Sequence, residues 1–295
     1  MRIGTRASAL ALAQATAVAQ RIPGGELVPI SSRTEADASA DKSRFVAALE
    51  QALQSGDVDV AVHSAKDVPG VLGEGLELVA APVRAEVEDV ICGAGGLEDL
   101  APGARVGTSS LRRAAQLRAA RDDVELVELR GNVDTRLRKL AAGEVDALVL
   151  ARAGLQRLGR EDEIGAVLDA ARYVPAPGQG ALALQARADD ERVRDTLAPL
   201  GDADTLACLH AERALAAALD ASCEVPLGAL ATPDGRDALR LRAWVGRPDG
   251  SAWIRDELVA ARADPQALGC DLAQRMRLVG ADEMLAAAAR SRGPA

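Results

Sequence analysis

LEQALQSGDVDVAVH (residues 49–63) and LRKLAAGEVDALVLA (137–151) are two stretches of this chain that share one pattern. Each begins with a helical run, passes through a glycine to a Val-Asp pair, and ends in a short apolar run typical of a buried strand. The pattern occurs once in each half of the first 180 residues. It therefore predicts two similar α/β lobes that face each other across a cleft. The alternative is a chance likeness between two ordinary helix–strand junctions.

Short apolar runs alternate with Ala/Leu-rich helical patterns around these stretches, which favours an α/β fold. In the first lobe we expect strands at 2–4 and 58–63 and helices at about 9–21 and 47–54. In the second we expect strands at 105–107, 124–129 and 145–151 and helices at 110–121 and 135–142. APGQGALALQAR (176–187) is interpreted as the chain returning to the first lobe, with a plain turn as the alternative.

The chain changes character from about residue 202 onward. A helix is expected at 206–219, a hairpin with a Pro-Asp-Gly turn (248–250) between strands at 239–245 and 252–259, and a last helix at about 267–279. These elements predict a small α+β C-terminal domain. The expected boundaries are 1–82 with 181–198 for lobe 1, 86–174 for lobe 2 and 203–295 for the C-terminal domain.

Composition limits the class of ligand. The 295 residues carry a net charge of −9 and only four aromatic side chains, those of Trp244, Trp253, Tyr173 and Phe45. Nucleic-acid binders usually combine a dominant basic field with aromatic platforms for bases, so we expect no nucleic-acid partner. The N-terminal segment has no long apolar run. We therefore expect no signal peptide, no membrane helix and a cytoplasmic location.

The four cysteines, Cys92, Cys208, Cys223 and Cys270, include no CxxC pair, and the two histidines lie far apart. These spacings do not fit a structural zinc site or a disulfide framework, and we expect no bound metal. Cys223 stands in SCEVPLG (222–228) between polar neighbours, which is compatible with an accessible nucleophile. The alternative is an inert core cysteine, the common case for unpaired cysteines.

Arginines cluster where strands are expected to give way to helices. Residues 103–160 hold eleven Arg and one Lys against seven Asp and Glu, in a chain that is acidic overall. GTSSLRR (107–113) combines a strand end, a potential helix cap at Ser109 or Ser110 and two arginines. LRGNVDTR (129–136) repeats the arrangement with a Gly-Asn turn at the helix start, and GTRAS (4–8) is a third case. Helix N-termini favour anions, and guanidinium groups bind carboxylate or phosphate in a bidentate manner. The pattern predicts a pocket for a polyanionic ligand; solvated arginines beside ordinary helix caps are the alternative.

One acidic residue stands out at a strand end. HSAKDVP (63–69) places Asp67 beside Lys66, just past the buried strand predicted at 58–63. A carboxylate in that position can stabilise a developing cation or move a proton. An equally good interpretation from sequence is a turn-forming aspartate before Val-Pro.

Taken in order, these segments resemble the porphobilinogen deaminase family from residue 2 to the C-terminus. The segments are GTRAS, DVAVHSAKDVP, GTSSLRR, LRGNVDTRL, LARAGLQRLG, PGQGAL and SCEVPLG. The resemblance implies two periplasmic-binding-protein-like lobes around a cleft and a third domain with the reactive cysteine. It implies a monomeric transferase, hydroxymethylbilane synthase, that joins four porphobilinogen molecules head to tail and releases ammonia at each step of tetrapyrrole biosynthesis. The product grows on a dipyrromethane cofactor held by a thioether, and the matching cysteine is Cys223.

The resemblance also assigns roles to side chains. Asp67 matches the catalytic carboxylate, which stabilises the azafulvenium cation left when ammonia departs. Each added pyrrole brings an acetate and a propionate, so an arginine-rich pocket offsets the growing charge. Cofactor carboxylates are expected on Lys66, Ser110, Arg112 and Arg113. The incoming substrate or the growing chain is expected on Arg6, Ser8, Arg130, Arg136 and Arg157.

One segment departs from the family. Where members usually have a Gly-Gly-Lys-Gly loop before a Phe, this chain reads ADKSRF (40–45). Lys42 and Phe45 keep the expected positions in what would be an active-site lid. Phe45 is expected either to pack on the cofactor or to join the core.

Two other functional classes compete with the transferase. The first is a non-catalytic two-lobe protein that binds or senses a polycarboxylate, against which the third domain with Cys223 counts. The second is a phosphate or nucleotide binder, but the sequence contains no GxxxxGK[ST] motif.

Overall fold

The computed structural model describes residues 1–30, 42–221 and 225–290. The strands in this part of the chain are β1 (Arg2–Arg6), β2 (Glu26–Ile30), β3 (Val60–Ser64), β4 (Leu76–Ala80), β5 (Asp89–Cys92), β6 (Arg105–Gly107), β7 (Glu125–Val127), β8 (Ala147–Ala151), β9 (Ala166–Val167), β10 (Leu182–Arg187), β11 (Leu227–Asp234), β12 (Ala238–Gly246) and β13 (Trp253–Ala261). The α-helices are α1 (Ala9–Ala19), α2 (Lys42–Gln54), α3 (Leu111–Ala120), α4 (Val133–Ala141), α5 (Arg152–Arg157), α6 (Glu191–Leu197), α7 (Ala203–Ala218), α8 (Pro265–Leu278) and α9 (Ala281–Arg290).

Two five-stranded sheets form two lobes with the same architecture. The strand order is β2-β1-β3-β10-β4 in lobe 1 and β7-β6-β8-β5-β9 in lobe 2. In each sheet the first three strands are parallel and the fourth runs antiparallel to both of its neighbours. β10 enters the first sheet from residues 182–187, so the chain returns to lobe 1 as the sequence predicted.

The Val-Asp pair of the repeated pattern has the same structural role in both lobes. The Asp59 carboxylate accepts a hydrogen bond from the Arg2 backbone N–H at 2.7 Å and pairs with the Arg2 guanidinium at 2.9 Å. In lobe 2, the Asp146 carboxylate accepts a hydrogen bond from the Arg105 backbone N–H at 2.7 Å and pairs with the Arg105 guanidinium at 2.9 Å. Each aspartate thus joins the buried central strand that follows it to the first strand of its lobe. The likeness of the two stretches therefore has a structural cause.

The three predicted strand–helix junctions are present at β1–α1, β6–α3 and β7–α4. The side chains of Ser8, Ser110 and Asn132 each accept a hydrogen bond from the backbone N–H three residues later. A side-chain acceptor at this position satisfies one of the N–H groups that a helix start leaves without a partner. Ser110 is therefore the cap of α3, as one of two serines predicted for this role, while the caps formed by Ser8 and Asn132 were not assigned from the sequence.

The C-terminal domain consists of the antiparallel sheet β11-β12-β13 covered by α7, α8 and α9. The predicted hairpin is confirmed as β12 and β13, which are joined by a turn at Arg247–Gly250. β11, which lies on the other edge of β12, was not predicted from the sequence. Ala, Leu and Val build most of this core, and Trp244 instead packs with Ala115 and Val174 at the contact with lobe 2. The expected fold class, α/β lobes with a small α+β domain, is confirmed.

A buried carboxylate on α7 connects the C-terminal domain to both segments that cross between the lobes. Glu212 is fully buried and forms an ion pair at 2.6 Å with Arg84, which lies in the first crossing segment, between β4 and β5. It also accepts hydrogen bonds from two backbone N–H groups. One is that of Gly178, in the second crossing segment, between β9 and β10, and the other is that of Ala231, on β11. Each acceptor position of this carboxylate is therefore used, which is the condition under which a buried charge is tolerated.

The observed elements differ from the predicted ones mainly at their ends and at the edge strands. α2 begins at Lys42, so Phe45 lies in its first turn and not in a loop. The strands β2, β4, β5 and β9 were not predicted, because short apolar runs among loops give no periodicity to count. The domain boundaries stay a prediction.

Candidate active site in the cleft

Two adjoining pockets lie where the strands of the lobes end. The first, which we call the arginine pocket, lies between the lobes and is lined by Leu10, Gln14, Ser64, Lys66, Arg113, Val133, Arg136, Leu150, Ala151, Ala153, Gly154, Arg157, Gly178, Gly180 and Ala181. The second, the Asp67 pocket, belongs to lobe 1 and is lined by Arg6, Ser8, Leu10, Ala11, Gln14, Val46, Leu49, Val62, His63, Ser64 and Asp67. Three residues line both pockets, namely Leu10, Gln14 and Ser64. The two pockets therefore form one continuous site.

Two arginines of the arginine pocket have no acidic partner in the described residues. Arg136, on α4, donates from Nη2 to the Ser109 hydroxyl at 2.8 Å, and its buried Nε has no partner in the described part of the chain. Arg157, on α5, donates from Nη2 to the Gly180 carbonyl at 2.6 Å. Burial lowers the pKa of each guanidinium to about 10, and the charge of Arg113 contributes at Arg136. Both remain charged at neutral pH, so they favour an anion in this pocket.

The adjacent arginines Arg112 and Arg113, in contrast to Arg136 and Arg157, share one acidic partner. Both are buried, and both pair with the buried Asp89 on β5 at 2.8 Å. Burial alone would raise the pKa of Asp89, but the two guanidinium groups hold it well below its usual range. Gln179, from the segment that returns to lobe 1, donates to the same carboxylate at 2.9 Å. Two cations with one anion leave a net positive charge beside the arginine pocket.

Asp67 lies at the end of a short 3₁₀ turn (Ala65–Asp67) that directly follows β3. This turn carries Lys66 into the arginine pocket and Asp67 into the neighbouring one. The Asp67 pocket also contains Arg6, whose guanidinium lies 4.1 Å from the centre of the Phe45 ring. The site therefore places a carboxylate close to several cationic side chains. Such an arrangement suits a substrate that has both anionic and cationic groups.

Behind Asp67, a chain of buried hydrogen bonds fixes the state of His63. Gln185 donates from Nε2 to Glu50 at 2.7 Å, so its Oε1 must accept from His63 Nε2 at 2.9 Å. Burial lowers the pKa of His63 to about 4, although Gln185 and the charges of Glu50 and Asp67 oppose this shift. His63 is therefore neutral at physiological pH and carries its proton on Nε2.

The sequence matches a known family along most of its length. The family described as "Porphobilinogen deaminase, dipyromethane cofactor binding domain" matches residues 1–195, and "Porphobilinogen deaminase, C-terminal domain" matches 206–277. The chain belongs to the porphobilinogen deaminase family. The predicted assignment to this enzyme family, with its dipyrromethane cofactor, is confirmed.

Similar curated proteins, each named porphobilinogen deaminase, come from several bacteria. That of Roseiflexus sp. (strain RS-1) is 46% identical over 96% of this chain and 98% of the relative. That of Xanthomonas oryzae pv. oryzae (strain KACC10331 / KXO85) is 46% identical over 97% and 99%. Among solved structures, a nutrient-binding protein from Burkholderia cenocepacia bound to methionine aligns with 15% identity and a TM-score of 0.42, over 67% of this chain and 90% of that chain. At these values the solved structure adds nothing to the assignment.

The structure brings together most of the residues that the resemblance to porphobilinogen deaminases assigned to the site. Seven of them line the two pockets: Arg6, Ser8, Lys66, Asp67, Arg113, Arg136 and Arg157. Gln14 and Ser64 were missed, although they line both pockets and hydrogen-bond to each other at 2.9 Å. The available signal was Gln14 itself, a lone amide in an otherwise Ala/Leu-rich helix.

Other predicted residues lie elsewhere or outside the described chain. Arg130 is exposed and pairs with the exposed Glu128 at 2.8 Å, and it lines neither pocket. Arg112 contacts Asp89, and the Ser110 hydroxyl caps α3. The prediction for Cys223 falls on residues 222–224, and that for the Lys42 side chain also lies outside the described part. The roles assigned to all of these residues stay predictions.

The other cysteines differ in how reactive their surroundings make them. Cys92 and Cys208 are buried, and burial raises the pKa of their thiols to about 11 and about 12. A thiol that stays protonated at neutral pH is a poor nucleophile. Cys270, on α8, is exposed.

Within the described residues, no helix is both long enough and apolar enough to span a membrane.

Proposed function

We propose that this protein is a hydroxymethylbilane synthase, which condenses four porphobilinogen molecules head to tail with release of ammonia. The observation that carries the proposal is the pair of guanidinium groups, Arg136 and Arg157, that face the cleft without a carboxylate partner in the described chain. Half-buried cations without a counter-ion favour an anionic ligand. Porphobilinogen has an acetate and a propionate, which match two such groups.

The arginine pocket would hold the carboxylates of the substrate and of the growing chain. Arg136, on α4, and Arg157, on α5, approach it from lobe 2, and Lys66 approaches it from lobe 1. Charge-assisted bonds from guanidinium groups are about twice as strong as neutral ones and can be bidentate. Arg136 and Arg157 therefore fix the orientation of a pyrrole ring between the lobes, with its carboxylates toward the cations.

Asp67 would act on the reacting part of porphobilinogen. When ammonia leaves the aminomethyl group, positive charge spreads over the pyrrole ring of the substrate. A fixed carboxylate near the ring N–H stabilises that charge, and it can accept a proton as the new bond forms. The neutral His63 in the same pocket adds no competing positive charge. Arg6 and Ser8 would orient the substrate at this end of the site.

The dipyrromethane primer fits the same residues because it carries carboxylates of the same kind. Lys66, Ser110, Arg112 and Arg113 would hold it, and two of these cations, Lys66 and Arg113, line the arginine pocket. When bound, the primer supplies the pyrrole carbon to which the first substrate is joined. We propose Cys223 as the point of attachment, because it matches the cofactor cysteine of the family; Cys92 and Cys208 are buried, and burial raises the pKa of their thiols.

Intact-mass measurement combined with an activity assay tests this proposal. The purified protein should consume porphobilinogen, release ammonia, and carry the added mass of two pyrrole units, with a red colour when treated with an aldehyde reagent for pyrroles. Cys223→Ala should lose both the mass and the activity. Cys270→Ala, which removes the exposed thiol on α8, should lose neither. Full turnover by an unmodified protein would overturn the primer assignment, and lack of any turnover by the modified protein would overturn the function.

The proposal also includes a monomeric protein that acts in the cytoplasm, with domains at 1–82 with 181–198, 86–174 and 203–295. Light scattering on the purified chain would test the first of these points. Limited proteolysis, which cuts most readily in exposed linkers, would test the boundaries.

A further inference from the structure

The segment that follows Asp67 is held by an arginine of another domain. Arg213, on α7 of the C-terminal domain, donates from Nη1 to the Val68 carbonyl at 3.3 Å. Its Nη2 donates to the carbonyls of Pro69 at 2.7 Å and Gly70 at 3.0 Å. Three successive carbonyls immediately after Asp67 therefore converge on one guanidinium. Such convergence of an irregular segment on one side chain fixes the path of its backbone.

The same segment is also held from lobe 1 and by direct packing. Glu50, on α2, accepts a hydrogen bond from the Gly73 backbone N–H at 3.0 Å. A Cβ atom on Gly70 would lie 3.2 Å from the Cβ of Ala217, which is one helical turn beyond Arg213 on α7. The backbone from 68 to 73 is thus fixed at both ends. One of the two anchors, Arg213, belongs to the C-terminal domain.

We propose that Arg213 is a positioning residue that holds the Asp67 carboxylate at the reacting part of the substrate. The inference rests on the catalytic role proposed for Asp67. It gives the C-terminal domain a second task beyond carrying Cys223, because α7 completes the support of an active-site turn that belongs to lobe 1. Arg213 lines neither pocket, so it acts through the backbone and not on the substrate.

The chemistry of the side chain explains why this position suits an arginine. Its planar fork presents several N–H groups in one direction, whereas a lysine ammonium is a compact point charge on a flexible stem. A lysine could keep the charge and reach one carbonyl, but it could not hold three neighbouring carbonyls in one geometry. Arg213→Lys is therefore expected to be intermediate between the parent and a variant without any donor.

A double-mutant cycle tests the inference on protein shown by intact mass to carry its primer. Arg213→Met should lower kcat by about 10- to 100-fold, with KM changed less than about threefold, because small misplacements of a catalytic group are costly while substrate-binding groups stay in place. Arg213→Lys should recover part of kcat. Arg275→Met removes a half-exposed arginine from α8 of the same domain and serves as the control with unchanged kinetics.

The decisive comparison is the effect of Arg213→Met in the Asp67→Ala background. If Arg213 acts through Asp67, the second substitution should change kcat there by less than about threefold. Equal losses in both backgrounds, or no loss in the parent, would overturn the inference and leave the role of Asp67 intact. Asp67→Ala with near-parental kcat would instead overturn the proposed function of Asp67. If Arg213→Met does not fold, Arg213→Lys is measured in the same cycle with the same criteria.

Discussion

The two lobes share a strand order but differ in the chemistry at the ends of matching strands. β3 and β8 occupy the same place in their sheets and have the same register to the first strand of each lobe. Counted along these strands from Asp59 and Asp146, the position of His63 in lobe 1 is taken by Leu150 in lobe 2. The position of Asp67 is taken by Gly154.

The difference separates the two chemical tasks of the site. Lobe 1 supplies a neutral imidazole from its central strand and a carboxylate just after it, while lobe 2 supplies Arg136 and Arg157 from its helices. Because strand ends in such sheets meet at one edge, a repeated scaffold places both sets of groups at a common cleft. The shared fold positions the site, and the residues at the strand ends decide what each lobe does there.

The largest expected effect comes from removing the one carboxylate that distinguishes lobe 1. Asp67→Ala should lower kcat by about 10²- to 10³-fold, or ~2.7–4 kcal/mol, on the scale of one lost electrostatic stabiliser. The measurement is the steady-state rate of porphobilinogen consumption by primer-loaded protein. Asp122→Ala, at an exposed site in lobe 2, is the control. A rate for Asp67→Ala within a few-fold of the parent would show that Asp67 only forms a turn.

Removing the cations of lobe 2 should act on binding. Arg136→Met or Arg157→Met should raise KM for porphobilinogen by about 10- to 100-fold, because a hydrogen bond to a charged group contributes ~1.5–3 kcal/mol. Arg105→Met is the matched control, since that guanidinium pairs with Asp146 away from the cleft. If all three variants had the parental KM, the unpaired arginines would have no part in substrate binding.

The imidazole of lobe 1 should make stability depend on pH. His63 takes up a proton below pH 6.5 when unfolded but only near pH 4 when folded, so its contribution is complete above 6.5 and is lost as pH falls toward 4. By linkage, the free energy of unfolding should drop by about 2 kcal/mol between pH 7 and pH 5 from this residue. Urea unfolding at both pH values should show a smaller drop for His63→Gln, which retains a partner for Gln185. The same pH dependence in both proteins would contradict the buried neutral imidazole.

The aspartates that the two lobes have in common should affect stability to different extents. Asp59 is buried, with its side chain 12% exposed, whereas the Asp146 side chain is 46% exposed. Asp59→Ala should lower the free energy of unfolding by about 1–3 kcal/mol, because it leaves a backbone N–H without its acceptor. Asp146→Ala should have a smaller effect, since water can replace the lost acceptor. Thermal unfolding of the two variants makes the comparison, and a larger loss for Asp146→Ala would contradict it.

Local patterns in the sequence were sufficient for the repeated unit and its helix caps. The glycine and the helix cap at Ser110 act on neighbours within a few residues, so their roles can be predicted without the fold. The contacts of Asp59 with Arg2 and of Asp146 with Arg105 span 57 and 41 residues and depend on the fold. The same patterns predicted an anion site at three strand–helix junctions, and that site stays a prediction. Edge strands such as β4 and β9 were missed, because they are defined by their pairing partners and not by their own periodicity.

The roles of individual arginines could not be predicted from their motifs. Arg113 and Arg130 both stand in arginine-rich junctions, yet Arg113 pairs with a buried aspartate beside the pocket while Arg130 pairs with a glutamate on the surface. The partner of Arg113, Asp89, is 24 residues away along the chain. Nothing in the sequence around either arginine distinguishes them.

By itself, the sequence determined the two-lobe scaffold, its helix starts, and the excess of positive charge near the strand ends, since each depends on residues close together in the chain. Only the tertiary structure decided which cations keep an internal counter-ion and which face the cleft, because ion pairing and burial depend on side chains that folding brings together from distant segments. It also placed Arg213 of the last domain against the turn after Asp67, a contact between residues more than 140 positions apart.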